Sequence, residues 1–297
     1  AAAAAGDPVQ LAVEQSVTPQ RARLVPFVRP HVYAALLSPL AALPHAQAYL
    51  VWLALQSVFL LAFLSLAWRH FGSEAVLLAA MFGPPLLGLL QGQDNWMLGL
   101  IALAGLVALE RGREWRGGAI WSLALLKFHL APGLALALLA ARRTRALAGF
   151  AAGGAALAAA SLALGGWPGA LCYWRMISNP STEGLYPSRE KMPNLQGLAA
   201  FLGIPDLWMY ATLGAAAAAL LALGAWRSEW WKQVALAVGG WLVLAPHVYF
   251  YDLTMLLPPL LLTAFRARSR AARAAVYLLL SPLLIIAILL VDALQAQ

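Results

Sequence analysis

The chain has 297 residues, of which 62% are hydrophobic and only 11% charged, and its mean hydropathy is +0.75. Soluble domains are about a quarter charged and half apolar, so this composition excludes an ordinary soluble domain and indicates a membrane protein. The net charge of +8 falls in short clusters between apolar runs, which indicates membrane topology and no nucleic-acid partner. Cys172 is the only cysteine, so an internal disulfide and a thiolate metal site are excluded.

Apolar runs predict an all-α fold, a polytopic bundle of transmembrane helices with about ten membrane segments. In chain order the runs lie at about 32–43, 46–67, 75–90, 96–109, 117–126, 130–140, 146–165, 207–225, 233–245, 248–265 and 275–292. Many are shorter than the roughly 20 residues that cross a bilayer, so we expect broken helices whose polar tips line an outer-face cavity.

Two parts are expected along the chain. Residues 1–45 form an outer-face loop and a juxtamembrane helix, and residues 46–297 form the transmembrane domain. The alternative for 32–43 is a membrane crossing, which would make Arg29 cytoplasmic. The chain opens on alanines without Met, and we expect native sequence upstream of residue 1.

Basic clusters predict the orientation of the bundle. They lie at 69–70, 111–116, 142–145, 227–232 and 266–273. If every run from residue 46 onward crosses once, all of them fall on one side, which the positive-inside rule makes cytoplasmic. The outer side of this cytoplasmic membrane then receives 91–95, 127–129, 166–194 and 246–252.

The tip at Lys127-Phe128-His129 is predicted to be a helix break. A continuous helix over 117–140 would place Lys127 in hydrocarbon, at a cost of about 2.5–3.5 kcal/mol. Two short helices avoid that cost, and Pro132 lies just after the proposed break. A cation at this tip could bind a phosphate, although a lysine that snorkels from a helix end gives the same pattern.

Two other outer segments carry candidate binding residues. Gln91, Gln93, Asp94 and Asn95 could hold sugar hydroxyls, or they could simply join two helices. In the segment 246–252, His247 and Asp252 flank Tyr249 and Tyr251, whose rings could stack on a sugar or belong to the aromatic belt at the interface. Asn194 is a weaker candidate, because a loop that ends at the next helix would explain it.

The combined pattern resembles glycosyltransferase family 87 in order and spacing. The resemblance rests on Leu90 through Asn95, on Gly117-Gly118 leading to Leu126-Lys127-Phe128-His129-Leu130, and on the segments 192–195 and 246–253. No HExxH, P-loop, paired CxxC or dinucleotide-binding glycine pattern competes with it.

The resemblance implies a GT-C-like enzyme, a hexosyltransferase that moves mannose from a polyprenyl phosphate donor to a lipid or glycan acceptor outside the membrane. It implies no cofactor and no metal, with the lipid-linked sugar as donor and membrane lipids as surroundings. The implied donor phosphate-binding residues are Lys127, His129 and His247. The implied sugar- and acceptor-binding residues are Gln91, Gln93, Asp94, Asn95, Asn194, Tyr249, Tyr251 and Asp252.

The general base is the point at which this sequence departs from the family. The family's base is an Asp on the first outer loop, and it is expected upstream of residue 1. Asp7 aligns with a later, non-catalytic position. Within the sequence, Asp94 and Asp252 are the remaining candidates for the carboxylate that deprotonates the acceptor hydroxyl.

Two other classes of function stay open. Broken helices with polar tips also form the binding sites of transporters and lipid flippases, although no internal repeat supports that class. A non-catalytic scaffold subunit with partner-binding outer loops is the second alternative, and it would tolerate neutral substitutions of Lys127 and His247.

Overall fold

A computed structural model describes residues 29–178, 192–204 and 228–282, together with residues 214, 215, 218, 222 and 286. All regular structure in these ranges is helical, which confirms the all-α class. The predicted run 207–225 lies almost entirely outside the described residues, as does most of the C-terminal run beyond residue 282.

Twelve α-helices lie within the described ranges. In chain order they are α1 (His31–Leu37), α2 (His45–Phe71), α3 (Ser73–Met81), α4 (Gly83–Leu90), α5 (Asn95–Glu110), α6 (Glu114–Ser122), α7 (Ala131–Ala140), α8 (Thr144–Ser178), α9 (Leu195–Leu202), α10 (Trp230–Leu244), α11 (Leu257–Arg266) and α12 (Arg270–Leu280). Three 3₁₀-helices accompany them, at Ser38–Ala42, Leu123–Lys127 and Phe250–Leu256.

Few of these helices could cross a bilayer alone. Among the described residues, α2 and the Thr144–Arg175 part of α8 are long and apolar enough, and α3 with α4 would form a third span only as a bent pair. The described helices are therefore mostly short, as predicted. The number of membrane segments and the boundary between the two parts at residue 45 stay predictions.

The predicted break after Lys127 is confirmed. The 3₁₀-helix ends at Lys127, and α7 begins at Ala131 with Pro132 in its first turn. Proline is tolerated there because the first N–H groups of a helix have no partner within the helix. Lys127 therefore lies at a helix tip and not in the middle of one long helix.

Two predicted runs differ from the helices of the structure. The run predicted at 75–90 is two helices, bent by 63° at Phe82. The sequence Gly83-Pro84-Pro85 causes the bend. A proline lacks the N–H of a helical hydrogen bond and its ring clashes with the carbonyl four residues earlier, so α3 cannot continue through them and both fit only the first turn of a new helix.

The second difference concerns the run predicted at 146–165, which is followed by the outer segment 166–194. The first part of that segment is helical to Ser178, continuing α8 beyond a kink at Gly166, where φ is 62° and ψ is 179°. Glycine adopts that left-handed φ without strain, and Pro168 then falls in the first turn of the resumed helix. Residues 179–191 lie outside the described residues.

Helices α5 to α8 run back and forth between two ends of the bundle. We call the end with residues 91–94 and 127–130 the polar end, and the end with residues 111–116 and 142–145 the arginine end. Helix α5 has 16 residues and leads from the polar end to the arginine end. At 1.5 Å per residue it separates the two ends by about 24 Å.

Glycines bring α6 and α8 into backbone contact near the arginine end. A Cβ atom on Gly118 would lie 1.7 Å from the carbonyl oxygen of Ala146, and one on Gly149 would lie 2.2 Å from that of Trp115. No side chain fits at such distances, so these positions require glycine. Small residues allow this close approach between helices in membrane proteins, where lipid removes the hydrophobic drive for association.

Candidate functional site

A buried ion cluster lies at the polar end. Asp94, Lys127 and Asp252 are 4%, 3% and 1% exposed. The Lys127 ammonium lies 3.1 Å from Oδ1 of Asp94 and 2.6 Å from Oδ1 of Asp252. Because a lone buried charge is costly, the position of one cation between two carboxylates offsets part of the cost of burying them.

Two residues that precede the apolar bundle complete the cluster. The Arg29 guanidinium lies 2.9 Å from Oδ2 of Asp94, and the Tyr33 hydroxyl donates to the same oxygen at 3.2 Å. Asp94 lies in the turn between α4 and α5. Burial alone would raise the pKa of the Asp94 carboxyl, but Lys127 and Arg29 together hold it below its ordinary value. Asp94 is therefore a carboxylate held by two cations.

Local sequence explains how each charge reaches this point. Gly92, with φ of 68°, ends α4 in a tight turn that leaves Asp94 at the start of α5. Lys127 ends a 3₁₀-helix. Pro246 follows the end of α10, and Asp252 lies in the first turn of the next 3₁₀-helix, where its Oδ2 accepts from the backbone N–H of Tyr249 at 2.9 Å. Each charged residue lies where a helix begins or ends.

Histidine and tyrosine rings form one wall beside the ion cluster. Nε2 of His129 lies 3.9 Å from Oδ2 of Asp252, and the rings of His129 and His247 are 5.2 Å apart. The ring of His247 lies 4.8 Å from that of Tyr249, which lies 5.6 Å from that of Tyr251. All four rings are half-buried, so they lie between the buried charges and the surface.

The ring of Tyr251 also contacts the central cation. The Lys127 ammonium lies 4.9 Å from its centroid, within the range of a cation–π contact. The aromatic residues predicted at 249–251 thus reach the same place as the predicted cation. A purely interfacial belt of tyrosines would not require that contact.

Two predicted binding residues, Asn95 and Asn194, make contacts that join parts of the fold. The Asn95 amide donates to the carbonyl of Pro85 at 2.8 Å and to the hydroxyl of Thr254 at 3.1 Å. The Asn194 amide donates to the carbonyl of Ala245 at 2.8 Å, and its oxygen caps α9. Both side chains are buried and join separate parts of the chain. Their role in sugar binding stays a prediction.

The two predicted glutamines lie on the turn at the polar end. Gln91 is exposed and Gln93 is half-buried, on either side of Gly92. The turn is held by Trp52, whose indole N–H donates to the carbonyl of Gly92 at 2.7 Å. Both glutamines are therefore close in sequence to the ion cluster and remain accessible from the surface of the protein.

Arg29, Tyr33 and Trp241 are site residues that sequence reasoning missed. Arg29 carried one signal, since it was a basic residue predicted on the outer side against the usual charge bias. Tyr33 and Trp241 carried none. The Trp241 indole donates to the carbonyl of His129 at 2.7 Å and so holds the broken tip against α10.

The described residues contain no group of three or more His, Cys, Asp and Glu side chains arranged to hold a metal ion. The expectation that the protein needs neither metal nor cofactor stays a prediction.

Comparison with models of known protein families identifies a match. The model of glycosyltransferase family 87 matches residues 27–248, about three quarters of the chain. The matched range includes Arg29, Asp94, Lys127 and His247, and it ends just before Asp252. No curated protein and no solved structure matches the chain. The chain therefore belongs to glycosyltransferase family 87 and is a membrane glycosyltransferase.

Proposed function

We propose that the protein is a GT-C hexosyltransferase of the cell envelope that transfers mannose from a polyprenyl phosphate donor to a lipid or glycan acceptor. Transfer takes place on the outer face of the cytoplasmic membrane, at the polar end of the bundle. The observation that carries the proposal is the ion cluster of Arg29, Asp94, Lys127 and Asp252, lined by histidine and tyrosine rings.

Stabilising the negative charge that develops on the leaving phosphate is the largest contribution that the protein can make to this reaction. The acceptor oxygen attacks the anomeric carbon, the bond from that carbon to the donor phosphate oxygen breaks, and a carboxylate takes the hydroxyl proton. The configuration at the anomeric carbon inverts, and polyprenyl phosphate leaves with an additional negative charge. Positioned cations near that charge lower the barrier most effectively in a site from which water is excluded.

The geometry supports a division of roles among the proposed phosphate-binding residues. Arg29 is 18% exposed by its side chain, so it can meet, as a cation, a phosphate that enters from the surface. His129 and His247 are half-buried, and because burial lowers the pKa of both imidazoles they would meet the phosphate as neutral N–H donors. Lys127 lies deeper and is held by two carboxylates. In our proposal Lys127 contributes a fixed positive charge beneath the leaving phosphate.

Asp94 and Asp252 are better suited to positioning than to proton abstraction. Each is paired with Lys127, and Asp94 also with Arg29, which makes both carboxylates weak bases. We propose that they hold Lys127 in place, and that another carboxylate is the general base. Among the described carboxylates of the polar end, Asp94 and Asp252 remain the candidates for the general base.

The proposed sugar contacts follow from the ring wall. Tyr249 and Tyr251 offer half-buried faces next to the cation site, suited to stack on a hexose. Gln91 and Gln93 offer amides on the neighbouring accessible turn. A sugar held there would have its anomeric carbon near the phosphate-binding cations.

The test is transfer from labelled polyprenyl phosphate mannose in proteoliposomes, with the protein expressed from its full coding region. Lys127→Met should lower the transfer rate by about a hundredfold or more, the usual effect of removing one preorganised electrostatic contact. Lys232→Met is the matched control, because Lys232 is a half-exposed lysine. Among the described residues its one ion pair is with Glu229. This variant should retain the wild-type rate.

Thermal unfolding of each variant distinguishes lost chemistry from lost fold. Equal rates for Lys127→Met and wild type would contradict the phosphate role. If the folded protein shows no transfer from mannose donors but does transfer another hexose, the proposed sugar is wrong and the rest of the proposal stands.

A further inference from the structure

A polar cavity lies at the arginine end, about 24 Å from the ion cluster by the length of α5. Its volume is about 850 Å³, within the range of 300–1,000 Å³ usual for ligand sites. Its lining comes from the turn before α6, the first turn of α6, and the turn that joins α7 to α8. It is thus built by different segments from those that form the polar end.

The lining is strongly basic. It includes Arg113, Arg116, Arg142 and Arg145, all exposed, and one carboxylate, Glu114. Oε1 of Glu114 lies 3.2 Å from Nη1 of Arg143, which is outside the lining. Among the residues that the structure describes, no carboxylate pairs with Arg113, Arg116 or Arg145. Around Arg113, Arg116 and Arg145 the cavity therefore has an excess of positive charge that the described carboxylates do not neutralise.

Backbone strain lies in the same cavity. Gly112 follows the end of α5, and Arg142 follows the end of α7. In each turn the N–H of that residue donates to the carbonyl three residues before it, and the N–H of the next residue donates to the carbonyl five residues before itself. The residue at this position adopts a left-handed conformation, with φ of 71° at Gly112 and 52° at Arg142. Glycine is usual there because a Cβ atom is unfavourable. Arg142 is the one non-glycine residue with positive φ in the described ranges, and its side chain lines the cavity.

Two helix N-termini add to the positive potential. Helices α6 and α8 begin at Glu114 and Thr144, and both first turns border the cavity. Their first-turn N–H groups lack partners within the helix and favour anions. The glycine contacts between α6 and α8 fix the spacing of these two N-termini.

We propose that this cavity is a binding site for a phosphate group, carried by an anionic lipid or by a soluble phosphorylated molecule. Four arginines of fixed positive charge suit a phosphate, which accepts bidentate hydrogen bonds from guanidinium groups. The exposed indole of Trp115 at the rim suits a site near the lipid headgroups. The proposal is independent of the transfer reaction and uses none of its residues.

The experiment measures two ligands on the protein in nanodiscs of phosphatidylcholine. Native mass spectrometry counts phosphatidylglycerol molecules retained when that lipid is added, and calorimetry follows titration with pyrophosphate. Arg116→Gln and Arg145→Gln should each weaken binding of the ligand that the site takes by about fivefold, the effect of one basic side chain near an anionic surface.

Arg142→Gly separates binding from folding. Glycine relieves the left-handed backbone, so the melting temperature should stay equal or rise while phosphate affinity falls about fivefold. Arg268→Gln is the charge-matched control, since Arg268 is exposed and lies outside the cavity lining. It should leave the affinity unchanged.

The outcomes identify the source of the phosphate or reject the site. Retention of phosphatidylglycerol that depends on Arg116, Arg142 and Arg145 supports a lipid headgroup, and the same dependence for pyrophosphate supports a soluble ligand. Binding of neither ligand, or an equal loss in Arg268→Gln, overturns the proposal. If Lys127→Met abolishes pyrophosphate binding and Arg145→Gln leaves it intact, pyrophosphate binds at the polar end. That outcome also overturns the proposal.

Discussion

The two ends of the bundle handle charge in opposite ways. At the polar end, Lys127 and its two aspartates are almost fully buried and paired with one another. At the arginine end, Arg116 and Arg145 are exposed and have no carboxylate partner among the described residues. Burial makes an unpaired charge expensive, whereas water and headgroups solvate an exposed one.

Ion pairs do occur at the arginine end, where they join helices. Glu110 at the end of α5 contacts His70 of α2 and lies 2.8 Å from the Arg266 guanidinium of α11. The comparison shows that paired charges in this fold hold segments together, whereas the unpaired arginines remain available to a ligand. Two substitutions of charged residues test this contrast, and one glycine substitution tests the packing of α6 on α8.

The largest effect is expected from Asp252→Asn at the polar end. It leaves Lys127 buried with one carboxylate that Arg29 shares, so the free energy of unfolding should fall by about 3–5 kcal/mol. Thermal and denaturant unfolding in detergent measure the loss. The double variant Lys127→Met with Asp252→Asn should be more stable than Asp252→Asn alone, because it removes the uncompensated cation. If both variants lose the same stability, the pair is not the cause.

An intermediate effect is expected from Gly118→Ala, where α6 meets α8. The new Cβ would overlap the carbonyl oxygen of Ala146, so the helices must separate, at a cost of about 1–3 kcal/mol. Gly239→Ala in α10 is the matched control, since its Cβ would have its nearest contact at 3.7 Å. The control should be neutral or slightly stabilising, because alanine favours helices. Equal melting temperatures for both variants would contradict the close packing of α6 on α8.

The smallest effect is expected from Glu114→Gln at the arginine end. The pair with Arg143 is partly exposed, and Arg143 keeps its contacts with the carbonyl of Leu109 and the ring of Trp230. The free energy of unfolding should therefore change by less than about 1 kcal/mol. A loss as large as that of Asp252→Asn, measured in the same unfolding assay, would remove the contrast between the two ends.

The sequence predicts the three segments of the polar end better than it predicts the residues that contact them from other helices. The cost of placing Lys127 in hydrocarbon is enough to predict the broken tip. Because successive apolar runs cross the membrane in opposite directions, the segments 91–95, 127–129 and 246–252 are predicted at one end. These inferences used only local patterns and the direction of successive helices. The structure confirms the break and brings the three segments together at Asp94, Lys127 and Asp252.

Partners set by long-range packing could not be predicted. Arg29 and Tyr33 reach Asp94 because α1 packs against α8, where the N–H of Val32 donates to the hydroxyl of Ser161 at 3.4 Å. No periodic pattern of apolar residues in the sequence indicates that contact. The extension of α8 past Gly166 was missed for a local reason, since Gly-Gly-Trp-Pro is also typical of loops.

The pairing of Lys127 with Asp252 also constrains the biosynthesis of the protein. The two residues lie far apart in the chain, so Lys127 leaves the ribosome well before its second carboxylate exists. At about 5–20 residues per second, the delay is on the order of ten seconds. During that interval Lys127 has only Asp94 of its two carboxylates, with Arg29 and Tyr33 already synthesised. A nascent chain interrupted before residue 252 would leave Lys127 with one carboxylate that Arg29 shares.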